Sequence, residues 1–104
     1  MDGQALEIGK TYFSLMYADE ALLLPEIETL IYLGPDQTDS GDSIHLFQLA
    51  WSHYNEGDWN QMSEEQRRAY EEVPLVSFPS GNIEPICDAN ELLKQLNEWR
   101  KRAG

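Results

Sequence analysis

Thr11, Phe13, Leu15 and Tyr17 alternate with Tyr12, Ser14 and Met16, so the run from Lys10 to Tyr17 reads as a β-strand with apolar side chains on both sides. No other feature restricts the fold as much, because a second β-rich run follows closely. Asp19-Glu20 interrupts the first run and Pro25 blocks helical continuation. Ile27 to Leu33 then resumes, with Glu26 and Glu28 preceding Ile31, Tyr32 and Leu33. Two antiparallel strands joined by a loop around Ala21 to Pro25 are expected.

Gly34 to Ser43 consists of Gly, Pro, Asp, Gln, Thr and Ser without an apolar anchor, and predicts a mobile, exposed loop. Ile44 to Tyr54 fits two periods. As a strand it places His45, Phe47, Leu49, Trp51 and His53 on one face; as a helix it gives Ile44, Phe47 and Trp51 a common stripe. Aromatic content and turn-rich flanks favour a strand paired to the preceding one. Ser63-Glu64-Glu65-Gln66 is a capping-box pattern that starts a short helix running to about Val73, where Pro74 stops it. Leu75 to Phe78 predicts a strand, Pro79 to Asn82 a turn, and Ile83 to Ile86 a return strand that Pro85 confines to an edge. These last two strands are expected to pair as a hairpin at the sheet margin.

The C-terminal helix is expected to begin at Asp88, a good N-cap, with Glu91 at the third helical position and Cys87 and Leu92 stapled across the cap. Leu92, Leu93, Leu96 and Trp99 form its apolar stripe. Glu98 and Arg102 are spaced as an i,i+4 ion pair, and Arg100, Lys101 and Arg102 complement the negative end of the helix dipole. The architecture predicted is α+β: a small antiparallel sheet of four to five strands, a C-terminal amphipathic helix on one face and a short second helix. With 104 residues and no dividing linker, the chain is expected to be a single domain.

Charge narrows the partners. The formal net charge is −12, and from Thr11 to Gln66 there is no Lys or Arg among eleven carboxylates. The cations are Lys10, Arg67, Arg68, Lys94, Arg100, Lys101 and Arg102. That distribution lacks the basic footprint of direct nucleic-acid binding and disfavours anionic membranes. The longest apolar run is only Ala21 to Leu24, and Met1-Asp2-Gly3-Gln4 has no basic or apolar leader character. A single cysteine, Cys87, fits a reducing cytoplasmic setting.

Chemical motifs are weak. Placing Gly41 at the invariant glycine of a calcium loop puts Asp36 first, but Thr38 and Ser40 at the next ligand positions and Phe47 where a bidentate Glu is needed. His45 and His53 match neither the zinc-helix nor the finger spacing, and read as half-buried residues on a sheet face. Asp88 beside Cys87 opposes thiolate formation, so Cys87 reads as a small buried residue rather than a nucleophile. Paired carboxylates such as Asp19-Glu20, Glu26/Glu28 and Glu71-Glu72 are too abundant to single out an acid/base pair, and no nucleophile-elbow, phosphate-loop or dinucleotide pattern is present. No metal or cofactor is implied.

Most aromatics inside the cation-free window are expected in the core, and Leu22 to Leu24 are expected to fold back under their loop in preference to lying exposed. Those left at the surface among the carboxylates resemble the anchors of an interface that accepts Arg and Lys. The expected role is a non-enzymatic interaction protein of inhibitor, antitoxin or immunity, adaptor, or nucleic-acid-mimic type. It would dock a basic protein partner through Asp19, Glu20, Glu26, Glu28, Asp36, Asp39, Asp42, Glu56, Asp58 and Trp59. Two other readings stay open at this level. One is a ligand-binding or catalytic pocket between sheet and helix using His45, His53 or Cys87. The other is a homodimer formed through an edge strand, with acidity serving solubility.

Overall fold

The computed structural model describes residues 6–104. Its elements are β1 (Thr11–Tyr17), β2 (Pro25–Gln37), β3 (Ser43–Leu49), α1 (Ala50–Glu56), a 3-10 turn (Trp59–Gln61), α2 (Glu64–Arg68), β4 (Leu75–Pro79), β5 (Ile86–Cys87) and α3 (Ala89–Ala103). The strands form one five-stranded sheet in the order β4-β3-β2-β1-β5, with every neighbouring pair antiparallel. The class is α+β, as the residue pattern predicts.

β2 is the spine. Its thirteen residues extend about 40 Å at the usual rise per residue. β1 pairs with Pro25 to Ile31 and β3 with Leu30 to Gln37, so the two hairpins project from opposite ends of the same strand. Register fixes which side chains meet. Pairs Tyr12↔Leu30, Tyr32↔Phe47 and Ser14↔Ile86 put Tyr12, Leu30, Tyr32, Phe47 and Ile86 on one face. With Ile83 these residues make the buried core, and Leu6, Leu49, Val76 and Phe78 pack around it. Phe47 is fully buried and meets Tyr12 and Phe78 edge-on, at 80° and 85°. Burying such a side chain stabilises the fold by about 2–3 kcal/mol.

Strand alternation puts Phe13, Leu15, Tyr17, Gln48 and Cys87 on the opposite face, where α3 meets β1 and β5. Gln48, also fully buried, fastens α1 and the 3-10 turn there. Its Nε2 donates to Ser52 Oγ (3.1 Å) and Gly57 O (2.9 Å), and its Oε1 accepts from Trp59 N at 3.0 Å.

That amide explains why Ile44 to Tyr54 is not one strand. Leu49 N donates to Pro74 O, the strand ends, and the chain turns into α1 so that Gln48 finds partners. Trp51 and Tyr54 consequently point to solvent, and His45 and His53 lie on different elements instead of one sheet face. The predicted loop from Gly34 to Ser43 is also shorter. β2 continues through a bulge at Leu33, where Gly34 adopts φ 124° beneath Ile8, and only Thr38 to Asp42 connects the strands.

The predicted hairpin of the last two strands does not form. β5 comprises Ile86–Cys87 and pairs with β1 at the edge opposite β4. Ile83 and Ile86 are drawn into the core, while Pro85, which lacks an N–H, accepts Leu15 N through its carbonyl at 2.8 Å. The Ser63–Gln66 capping box is present, but α2 ends at Arg68, since Tyr70 turns inward to stack near Trp59, with ring centroids 5.6 Å apart.

Asp88 caps α3 by accepting Glu91 N at 2.8 Å. Leu92, Leu96 and Trp99 form its half-buried stripe, whereas Leu93 is exposed. No helix is long and apolar enough to cross a membrane among the described residues.

Candidate functional site

The residues that the sequence nominates fall into three places. Asp36, Asp39 and Asp42 surround the β2–β3 turn, where short bonds close the loop on itself. Asp36 Oδ1 accepts Gln37 N at 2.8 Å, and Asp42 Oδ2 accepts Ser40 Oγ at 3.2 Å. Glu56, Asp58 and Trp59 lie between α1 and α2. Asp58 Oδ1 caps the 3-10 turn by accepting Asn60 N at 3.1 Å. Trp59 is buried, with the Arg67 guanidinium 5.3 Å above its ring, and so anchors the fold rather than offering a contact surface. Glu56 borders an open cleft of about 360 Å³ with Met62, Gln66, Ala69 and Tyr70. Burial and the neighbouring Glu56 push the Tyr70 phenol pKa up, so that this hydroxyl stays a neutral donor.

Asp19, Glu20, Glu26 and Glu28 gather at the far end of β2, and there the surface has a different character. Met16, Leu22, Leu23, Leu24 and Ile27 are 54%, 42%, 40%, 60% and 44% exposed, half of the ten large hydrophobic side chains exposed among the described residues. Pairing accounts for the arrangement. Met16 opposes Glu26 and Ser14 opposes Glu28 on one face, while Leu15 opposes Ile27 on the other. Ser14, Met16, Glu26, Ile27 and Glu28 line a shallow cleft of about 150 Å³. No cation pairs with these carboxylates: the ion pairs among the described residues are Lys10–Glu7 and Arg68–Glu64.

The connecting loop from Ala18 to Leu24 has a defined shape. Ala18 N donates to Leu24 O at 3.0 Å. The Asp19 carboxylate accepts Leu23 N (3.0 Å) and Leu24 N (2.8 Å). Partial desolvation pushes the Asp19 pKa up, but the Leu24 and Leu23 N–H groups, with Arg102 nearby, hold it below the ordinary value. Leu22 sits at φ 59°, in the left-handed region that a β-carbon disfavours.

From the other side α3 reaches the same loop. Trp99 Nε1 donates to Leu23 O at 2.9 Å. Arg102 donates through Nε to Leu22 O (3.3 Å) and through a terminal nitrogen to Tyr17 Oη (2.9 Å), its guanidinium 5.4 Å from the Tyr17 ring centroid. The spacing that predicts a Glu98–Arg102 pair is therefore overridden by a tertiary contact. No local pattern marks Trp99 or Arg102 for this role, because their partners lie 76 to 85 positions away.

The groups considered for a pocket do not converge. His45 Nδ1 hydrogen-bonds Tyr32 Oη at 2.7 Å on the core face, Cys87 lies on the opposite face, and His53 belongs to α1. Burial, then the charges of Glu91 and Asp88, push the Cys87 thiol pKa up, which keeps it protonated at neutral pH. Among the described residues no group of three or more His, Cys, Asp or Glu side chains is placed to hold a metal ion.

No family model matches this chain, and comparison with curated proteins and with solved structures gives no match.

Proposed function

We propose that this chain is a non-enzymatic interaction protein that docks a basic protein partner on the β1–β2 hairpin end. The observation that carries the reading is the concentration of exposed Met16, Leu22, Leu23, Leu24 and Ile27 within one hairpin end bordered by Asp19, Glu20, Glu26 and Glu28. Met16 and Ile27 stand on opposite faces of the strand pair with Leu22 to Leu24 in the loop between, and exposed apolar side chains bordered by polar residues mark protein-binding sites. A rim of one sign, whose carboxylates form no ion pair among the described residues, selects a partner of the other sign and speeds encounter. Apolar contact would supply most of the affinity and the carboxylates most of the selectivity. Asp36, Asp39 and Asp42 then contribute only to the long-range field.

The test begins with capture from native lysate on the immobilised chain at low salt, release at high salt and identification of the released protein. The purified partner is then titrated against wild type, Glu26→Lys/Glu28→Lys and Asp39→Lys/Asp42→Lys across a salt series. Affinity is expected to fall with salt, and to fall about tenfold or more with the hairpin reversal, as for truncation of an interface anchor. Binding indifferent to salt and to the hairpin charges would overturn the reading.

A further inference from the structure

We infer that the last turn of α3 is an internal stand-in for the partner: Arg102 and Trp99 occupy the hairpin loop, and an arginine-presenting segment of the partner displaces them. The inference rests on the docking reading above and names the chemistry the loop accepts. In the free chain a guanidinium already sits at the loop, donating to Leu22 O and Tyr17 Oη and lying over the Tyr17 ring. An indole N–H holds the adjacent Leu23 O. These acceptors are backbone carbonyls, a phenol oxygen and an aromatic face, a set suited to a planar multi-donor cation more than to a point-like ammonium.

The strap is displaceable because it is superficial. Arg102, Leu22 and Leu23 are all exposed, Trp99 is half-buried, and hydrogen bonds from an exposed side chain to neutral acceptors replace bonds to water at little net gain. Side-chain hydrogen bonds tie the last turns of α3 to this end at three points: Trp99 to Leu23 O, and Arg102 to Leu22 O and Tyr17 Oη. The loop itself keeps its shape through Asp19, which binds Leu23 N and Leu24 N independently of Arg102. Removing Arg102 therefore vacates the acceptors without dismantling them.

The probe is an oligo-arginine peptide, with oligo-lysine as its comparison, added to the full 15N-labelled chain. The Trp99 indole N–H signal is expected to shift and to exchange faster with water, together with the amides of Leu22 to Leu24. Arginine peptide should act at lower concentration than lysine peptide. Arg102→Ala should bind the arginine peptide about two- to fivefold more tightly than wild type, the range expected for removing one exposed competitor. Lys94→Ala, which removes the same charge from α3 away from the loop, controls for net charge and should gain less. Equal gains from both substitutions, or peptide shifts at Glu26 and Glu28 without movement of the Trp99 indole, overturn the strap and leave docking intact. Absence of peptide binding to any form counts against both readings.

Discussion

At one end of β2, Asp36, Asp39 and Asp42 surround a turn whose residues, from Pro35 to Ser43, include no large apolar side chain. At the other, Asp19, Glu20, Glu26 and Glu28 surround five exposed apolar side chains and an arginine drawn in from α3. Both ends are acidic, and a net-charge argument treats them alike. They differ in what the acidity accompanies. The β2–β3 turn satisfies its polar groups internally, through Ser40 with Asp42 and Thr38 with the Asp42 amide, and leaves nothing for a partner but charge. The β1–β2 end leaves hydrophobic area and a set of acceptors already tested by a cation.

Both ends hang from the same middle, so the largest expected effect is one that removes the distinction altogether. Phe47→Ala deletes a fully buried ring at the crossing of β2, β3 and β4 and should cost about 3–5 kcal/mol in urea unfolding. Gln48→Ala leaves Ser52 Oγ, Gly57 O and Trp59 N without their partner and should cost about 2–3 kcal/mol. Equal loss of ordered amide signals at both ends is the expected outcome for Phe47→Ala. Retention of one hairpin after the other melts would show that the two are separate folding units.

Charge reversal separates the ends directly. Glu26→Lys/Glu28→Lys is expected to weaken partner binding about tenfold or more, while Asp39→Lys/Asp42→Lys, the same change in charge, should alter it by less than about threefold through the long-range field alone. Similar losses from the two pairs would mean that total charge, not the hairpin end, directs docking, and the comparison would fail.

Acid should act on the β1–β2 end through Asp19. The Asp19 carboxyl titrates below its ordinary value in the folded chain, so its contribution is complete above the unfolded value near 3.9 and is lost as pH falls through the lower folded value. Following the Leu23 and Leu24 amides during acid titration should reveal a transition that Asp19→Asn abolishes. Its persistence in that variant would assign the transition to another group.

Much of the scaffold was legible because it is written locally. Alternation in Thr11 to Tyr17, the Asp88 N-cap and the Ser63–Gln66 box each involve residues within a few positions of one another, and each formed. The β3–α1 junction was not legible, since Ile44 to Tyr54 satisfies both periods and the choice is made by Gln48 reaching Gly57 and Trp59. The position of β5 depends on Ile83 and Ile86 finding the aromatic core, which no turn signal encodes. At the candidate site the carboxylates were visible in the sequence, but the leucines, expected to fold back under their loop, lie exposed because Asp19 and the left-handed Leu22 fix the loop outward. Which carboxylates keep apolar company was not visible, because the exposure of Met16 and Ile27 follows from the β1–β2 register.

The smallest expected effect bears on the two turns themselves. Gly41 takes φ 89° in the β2–β3 turn, where glycine meets little cost, whereas the β1–β2 loop places Leu22 at φ 59°. A leucine there is strained by about 1–2 kcal/mol, offset in part because glycine would gain about 0.4–1 kcal/mol of unfolded-state freedom. Leu22→Gly should therefore stabilise the chain slightly, by about 0.5 kcal/mol in chemical denaturation, while removing a 42% exposed side chain from the docking surface and weakening partner binding. Stability and binding moving in opposite directions is the signature of a residue held for contact outside the fold. If Leu22→Gly instead destabilises the chain, the leucine is a folding contact, and the contrast between the two ends of β2 narrows to Met16, Leu23, Leu24 and Ile27.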